Sequence, residues 1–302
     1  MEFFIQLLIT GIVLGSVYAL VALGFVLIYK STSVINFAQG ELLMLGAYIC
    51  LQFVIELQAH TGLGLYTIFW ISFFATLIVC GIIGLLIERA FLRKMIGEPI
   101  ISIIMLTIGL SSFLRGIIQF FWGTQTKVFP QIFSQKPIML FGKIPVSEIY
   151  LYAIAFSAIF LGIFTLFFKY NRSGIAMRAT ADDQQAAMSM GISIKRIFAL
   201  AWCIAAIVAA VGGIVIGNIN GINVSLSFYG LKVFPVVILG GLDSIGGAIV
   251  GGLIIGILEN LCGGYLDPHM PGIKEVAPFI VLVLILMIKP YGLFGTEEIE
   301  KV

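Results

Sequence analysis

Apolar residues fall in long, nearly unbroken runs, and a helical span needs about twenty of them to cross the hydrocarbon layer. The runs lie near Phe3–Ile28, Val34–Leu57, Leu65–Ile87, Ile100–Trp122, Ile149–Phe168 and Ile197–Ile216. A glycine-rich region, Val233–Leu261, and a shorter last run, Val276–Ile288, follow. The pattern predicts an all-α, polytopic transmembrane bundle of about eight spans. Gly240-Gly241, Asp243, Gly246-Gly247 and Gly251-Gly252 interrupt the seventh element. Irregular backbone at membrane depth survives only where protein or a water-lined cavity satisfies its N–H and C=O groups, so a split, partly re-entrant element is expected there, inside the protein.

Composition agrees with that class: 60% hydrophobic residues, 11% charged residues and a mean hydropathy of +1.13. Such values lie far outside those of soluble domains. The start Met1-Glu2-Phe3-Phe4 lacks a basic n-region and its apolar run continues to Ile28, so no cleavable signal peptide is expected. Residues 1–302 read as one transmembrane domain. Cys50, Cys80, Cys203 and Cys262 lie in or beside apolar runs without metal-type spacing and read as packing residues.

The net charge of +2 says little, whereas the placement of Lys and Arg sets sidedness. Arg89, Arg93 and Lys94 follow the third run and a polar island, Lys169–Arg196, follows the fifth; both are expected to face the cytoplasm. Counting back puts Lys30 inside and the N-terminus outside. The loop Gly123–Ser147, with Lys127, Lys136 and Lys143, then lies outside. If the glycine-rich region doubles back, Leu266–Lys274 is outside and the C-terminus is cytoplasmic; a single crossing reverses this.

The island at 169–196 reads as a cytoplasmic docking loop. It holds Lys169, Arg172, Arg178, Lys195 and Arg196 around Gln185-Ala186-Ala187-x-x-x-Gly191. Asp182 is the expected N-cap, with Gln185 three residues on, and Gly191 the expected left-handed stop of a short helix from about Asp183 to Met190. Ala186, Ala187 and Ser189 are expected to be exposed, and Met188 and Met190 to act as adaptable knobs in a groove of a soluble partner.

Close helix approaches are expected at Gly11-x-x-x-Gly15, Gly213-x-x-x-Gly217, Gly247-x-x-x-Gly251 and Gly252-x-x-x-Gly256. Candidate translocation-path residues are Asn36, Gln39 and Glu41 in the second run and Asp243 and Ser244 in the broken region. A carboxylate at the bilayer centre costs about 2.5–3.5 kcal/mol, so Glu41 either faces a polar interior or sits near an interface, capped or paired. Gly40-x5-Gly46-Ala47 and Gly241-x5-Gly247-Ala248 share a spacing that is either a weak internal repeat or a consequence of glycine abundance. Asn218, Asn220 and Asn223 belong to an outer polar loop or meet an external substrate donor. No Gly-x4-Gly-Lys-Ser/Thr loop is present, and His60 and His269 lie far apart, so the chain reads as a non-enzyme without cofactor or metal.

Three segments together resemble the H-type permease of branched-chain amino acid ABC importers: Val34–Glu41 with Gly46-Ala47-Tyr48; Ser173–Ala179 with Ala186-Ala187 and Met190-Gly191-Ile192; and Val237–Ala248. The likeness extends to Glu300-Lys301-Val302. It implies a multi-pass protein of the cell (inner) membrane that pairs with a second, similar permease, two cytoplasmic ATPases and an external binding protein delivering Leu, Ile or Val, with no nucleic acid involved. Transport by alternating access would be driven by the ATPases, which the segment Arg178, Asp182, Asp183, Gln185, Ala186, Ala187 and Gly191 would engage. Gln185 stands where many importers carry glutamate, and Gln39 where related permeases carry His. Two alternatives remain in view, an ABC permease for urea or short amides and an ion-coupled secondary transporter using Glu41 and Asp243.

Overall fold

The computed structural model describes residues 2–32, 34–132, 137–140 and 144–295. The apolar runs become helices α1 (Glu2–Thr32), α2 (Gln39–His60), α3 (Leu65–Ala90), α4 (Ile100–Trp122) and α5 (Glu148–Tyr170). The polar island folds as α6 (Arg172–Asp182) and α7 (Gln184–Ser189), and the chain continues as α8 (Ile194–Asn220), α9 (Phe228–Gly240), α10 (Ile245–Tyr265) and α11 (Ile273–Ile288). Seven of these, α1 to α5, α8 and α10, are long and apolar enough to cross a membrane by length and composition. At 1.5 Å per residue α9 and α11 span only about 20 and 24 Å. A hairpin of β1 (Pro137–Leu140) and β2 (Ile144–Ser147), which the hydropathy pattern does not announce, lies between α4 and α5. Lys136, Lys143 and the Glu300-Lys301-Val302 tail lie outside the described residues.

The centre of the bundle is α1, apolar on every side, as a helix without a solvent face must be. Every residue from Gly15 to Ile28 is buried. It runs antiparallel to α10 through two facing small-residue motifs: a Cβ at Gly11 would lie 2.7 Å from Ile257 Cα, one at Gly15 would lie 2.8 Å from the Gly252 oxygen, and Gly256 lies against Gly15. Gly213 abuts the Leu43 backbone of α2, a Cβ at Gly217 would lie 3.5 Å from Ala47 Cβ of the same helix, and Gly247 and Gly251 meet Gly240 and Val236. All four expected motifs therefore mark helix contacts, because only a missing side chain lets backbones approach this closely where lipid removes the hydrophobic drive.

The second apolar run is not one helix. Asn36 is fully buried, and its Oδ1 accepts the Ala38 N–H at 3.0 Å, closing a turn that delays α2 until Gln39. Gln39 lies beside Gly24, eight residues before the end of α1, so the chain re-enters the bundle by about 12 Å before α2 begins. A matching event follows α8. Asn223 Oδ1 accepts the Ser225 N–H at 3.0 Å, a 3₁₀ turn follows (Val224–Ser227), and α9 starts beside Tyr18, near the middle of α1. The two re-entrant starts meet at Gly40 and Gly230, whose backbones touch.

The neighbours repeat as well. α2 packs with α3, α4 and α8; α9 packs with α10, α11 and α1. α1–α4 and α8–α11 thus form two halves running in opposite directions, an inverted repeat of the kind that builds many transporters. The equivalence pairs Gly40 with Gly230, so the Gly40/Gly241 spacing match reflects glycine abundance. The break expected near Gly240 is present: Gly241 turns the chain at φ 104°, and α10 doubles back antiparallel to α9.

One end of the bundle is basic. Lys30 Nζ donates to the Asp243 carbonyl at 3.0 Å, and a cavity joins Lys30, Lys169 and Arg178 to Ser244 and Phe294. A second cavity joins the turn Leu92–Met95 to Gln184 of α7. After α11 the chain returns here, with Leu293 N–H on the Leu239 carbonyl at 2.8 Å and Phe294 N–H on Gly240 at 3.0 Å. The turn between α10 and α11 lies at the far end.

Candidate functional site

The junction of the two re-entrant segments is polar at its core. Asn36 Nδ2 donates to Gln39 Oε1 at 3.1 Å, and both side chains are buried. Phe37 stacks on Phe234 of α9 at 4.9 Å, and Thr107 of α4 donates to the Ile35 carbonyl at 3.2 Å. The N-termini of α2 and α9, each carrying the partial positive charge of a helix start, face each other across Gly40 and Gly230. Glu41 in the first turn of α2 offsets that charge.

Glu41 is buried, and its Oε1 lies 2.5 Å from Arg115 Nη2 of α4. The carboxylate is thus paired where it lies inside the bundle. On the opposite half, Lys232 in the first turn of α9 lies 2.6 Å from Glu259 Oε1 of α10 and 2.8 Å from Glu275 Oε2 of α11. Tyr18 of α1 donates to Glu259 Oε2 at 2.7 Å. Each re-entrant helix thus carries a charge just past its contact glycine, tied to other helices of its own half. Sequence reasoning singled out neither Arg115, Lys232 nor Glu259. The available signal was their isolation: each is a lone charge within an apolar stretch, and such residues need a partner at membrane depth.

Asp243 and Ser244 stand elsewhere. Ser244 Oγ accepts the Gly247 N–H at 3.0 Å and caps α10, and both residues line the cavity at the basic end beside Arg178. Asn220, from the outer polar loop, donates to the Tyr229 hydroxyl at 2.8 Å.

The polar island is more ordered than a docking loop. Asn171 caps α6 by accepting the Ser173 N–H at 2.9 Å. Arg178 donates to the Lys169 carbonyl at 3.1 Å and lies 5.9 Å from the centre of the Phe168 ring, pinning α6 to the end of α5. The cap of the short helix is Asp183, whose Oδ1 accepts from Gln185 and Ala186 at 2.8 and 3.0 Å; Asp182 closes α6 instead. This corrects the expected cap by one residue, because Asp183 has the extended backbone, φ −156°, that a cap requires and Asp182 remains helical. Gly191, at φ 83°, stops the element as expected. Ala186, Met188, Ser189 and Met190 are exposed, whereas Ala187 is buried, because one face of α7 packs on α6.

A family model described as "Branched-chain amino acid transport system / permease component" matches residues 7–288. The chain is 33% identical over 310 residues to the high-affinity branched-chain amino acid transport system permease protein LivH of Escherichia coli K12, covering 99% of this chain and 98% of that one. It is 34% identical over 307 residues to the corresponding protein BraD of Pseudomonas aeruginosa, with the same coverage. A probable branched-chain amino acid transport permease of Methanocaldococcus jannaschii is 28% identical over 300 residues. No solved structure matches. Apolar helices, buried paired charges and two re-entrant segments meeting inside the bundle define a multi-pass membrane permease. The chain belongs to the family of branched-chain amino acid transport system permease components.

Proposed function

We propose that the protein is the permease subunit of an ATP-binding cassette importer of the cell (inner) membrane that moves Leu, Ile and Val inward by alternating access. The observation that carries this reading is α7: a short helix with an exposed tip, capped by Asp183 and stopped by Gly191, held on a basic end by α6. Two cytoplasmic ATPases would grip Gln185, Ala186 and Met188 of this helix, with Asp182, Asp183, Arg178, Ala187 and Gly191 fixing its shape. The positive-inside preference supports a cytoplasmic basic end, and with it an external N-terminus and a C-terminal segment that returns to the cytoplasm.

The path would be closed at the re-entrant junction by Asn36, Gln39 and Glu41 facing the start of α9. Asp243 and Ser244, beside the Lys30–Arg178 cavity, would pass motion of α6 and α7 to the α9–α10 turn. A second, similar permease completes the pathway, and an external binding protein supplies most of the selectivity. Pairing of Glu41 with Arg115 argues against a proton-coupling carboxylate there.

The test is uptake by proteoliposomes holding the permease pair with its ATPases and binding protein. ATP-dependent accumulation of labelled Leu, Ile and Val is expected. Accumulation driven by a proton gradient without ATP, or ATP-dependent uptake of urea in place of leucine, would overturn the reading.

A further inference from the structure

A cavity of about 250 Å³ opens at the end of the bundle away from Lys30, where α9, α10 and α11 meet α1 and α8. Its lining is mainly polar: Lys232, Glu259, Lys274 and Glu275 form a charged wall, and Leu14 and Ile219 supply apolar surface beside it. Pockets for drug-sized ligands run to about 300–1,000 Å³, so this one suits something smaller.

Two cations and two carboxylates leave the charged wall formally neutral. Lys232 bridges a fully buried carboxylate, Glu259, and one at the mouth, Glu275, whose side chain is 62% exposed. Glu259 keeps Tyr18 as a second partner, so its place in the wall is fixed. Glu275 has no such anchor in the interior, and its contact with Lys232 is the one that can open.

We propose that this cavity receives a zwitterionic aliphatic amino acid, which inserts its head between Lys232 and Glu275 and lays its side chain on Leu14 and Ile219. The ligand carboxylate replaces Glu275 on Lys232, and the ligand ammonium takes up the freed Glu275. Every charge keeps an opposite partner through the exchange, so no buried ion is left uncompensated, which would otherwise be the dominant cost. Gly230, two residues before Lys232, touches Gly40, so a ligand held here waits directly at the re-entrant junction. The inference rests on the importer reading, which supplies an amino acid at this face.

The test uses the complete importer in proteoliposomes with Asn220→Cys as a reporter in a Cys262→Ser background, reacted with a membrane-impermeant maleimide. Asn260→Cys is the second reporter should the first not fold. L-Leucine is expected to slow the labelling, with leucinamide and 4-methylpentanoate, each lacking one charge, protecting only at much higher concentration. Glu275→Gln is expected to raise the leucine concentration needed for half-protection roughly tenfold or more, the worth of one charge-assisted contact. Labelling unchanged by leucine in a complex that still imports leucine overturns the site and leaves the importer reading intact. Absence of any ATP-dependent uptake of Leu, Ile or Val by the unmodified complex overturns the importer reading instead, and protection still reports on the site.

Discussion

Replacing Gly40 with alanine puts a methyl group where the two re-entrant segments touch. Its Cβ would overlap the Ser227 carbonyl and approach Gly230 Cα to 3.1 Å. Both are backbone atoms, so no rotamer change relieves the clash. Overpacking of this kind costs about 1–3 kcal/mol, and the rigid neighbours place it in the upper half of that range. Gly116→Ala is the matched control. Nothing lies within 4 Å of a Cβ at Gly116, and removing a mid-helix glycine from α4 gains about 0.5–1 kcal/mol. The two substitutions, chemically identical, should therefore differ by about 3 kcal/mol, or on the order of 6–12 °C in melting temperature at about 2–4 °C per kcal/mol. Thermal unfolding in mild detergent reads the difference, and uptake by the reconstituted importer should fall only for Gly40→Ala. Equal melting temperatures with intact transport would refute the junction as a tight backbone contact.

Arg115→Gln and Glu41→Gln should each destabilise the bundle by about 2 kcal/mol, below the ~3–5 kcal/mol of a fully buried pair because Arg115 is 37% exposed, and the double variant should lose less than the sum in a denaturation cycle. Glu259→Leu should be costlier than either, since it strands the buried Tyr18 hydroxyl and leaves Lys232 with Glu275 at the mouth as its one carboxylate, and reduced detergent-solubilised yield is the readout. Asp183→Ala should weaken retention of the ATPases on affinity purification through loss of a cap worth about 1 kcal/mol, with rescue by Asn, whereas Asp182→Ala, which removes no cap, should have a smaller effect. Gly191→Val should do the same as Asp183→Ala, because a β-branched residue does not tolerate φ 83°.

Hydropathy made the spanning helices legible because lipid imposes a length and a composition on each. It did not reveal where α2 starts. Val34 to Ala38 are mostly apolar and continue the run, and only Asn36, which ends the regular backbone with its own side chain, marks the re-entry. Asn223 plays the same part before α9, yet in sequence it looks like one more loop asparagine. The break at Gly240-Gly241 was visible, since adjacent glycines followed by Asp243 interrupt the apolar run. α6 was not, because its eleven residues show no apolar stripe and its helix is fixed by Asn171 and Arg178 against α5. Of the ionic partners, Glu41 drew notice by standing beside Asn36 and Gln39. Its partner Arg115 lies 74 residues away on another helix, a distance across which no local pattern reports.

The central claim is that α7 faces the cytoplasm, where nucleotide-driven partners reach it, and Ser189→Cys in the Cys262→Ser background tests it most directly. Ser189 is exposed on α7, and a membrane-impermeant thiol reagent reads which side of the bilayer it occupies. Labelling in inside-out vesicles, with none in right-side-out vesicles or intact cells, is the predicted result. Labelling of intact cells from outside would contradict the account, because no ATPase could then engage the helix.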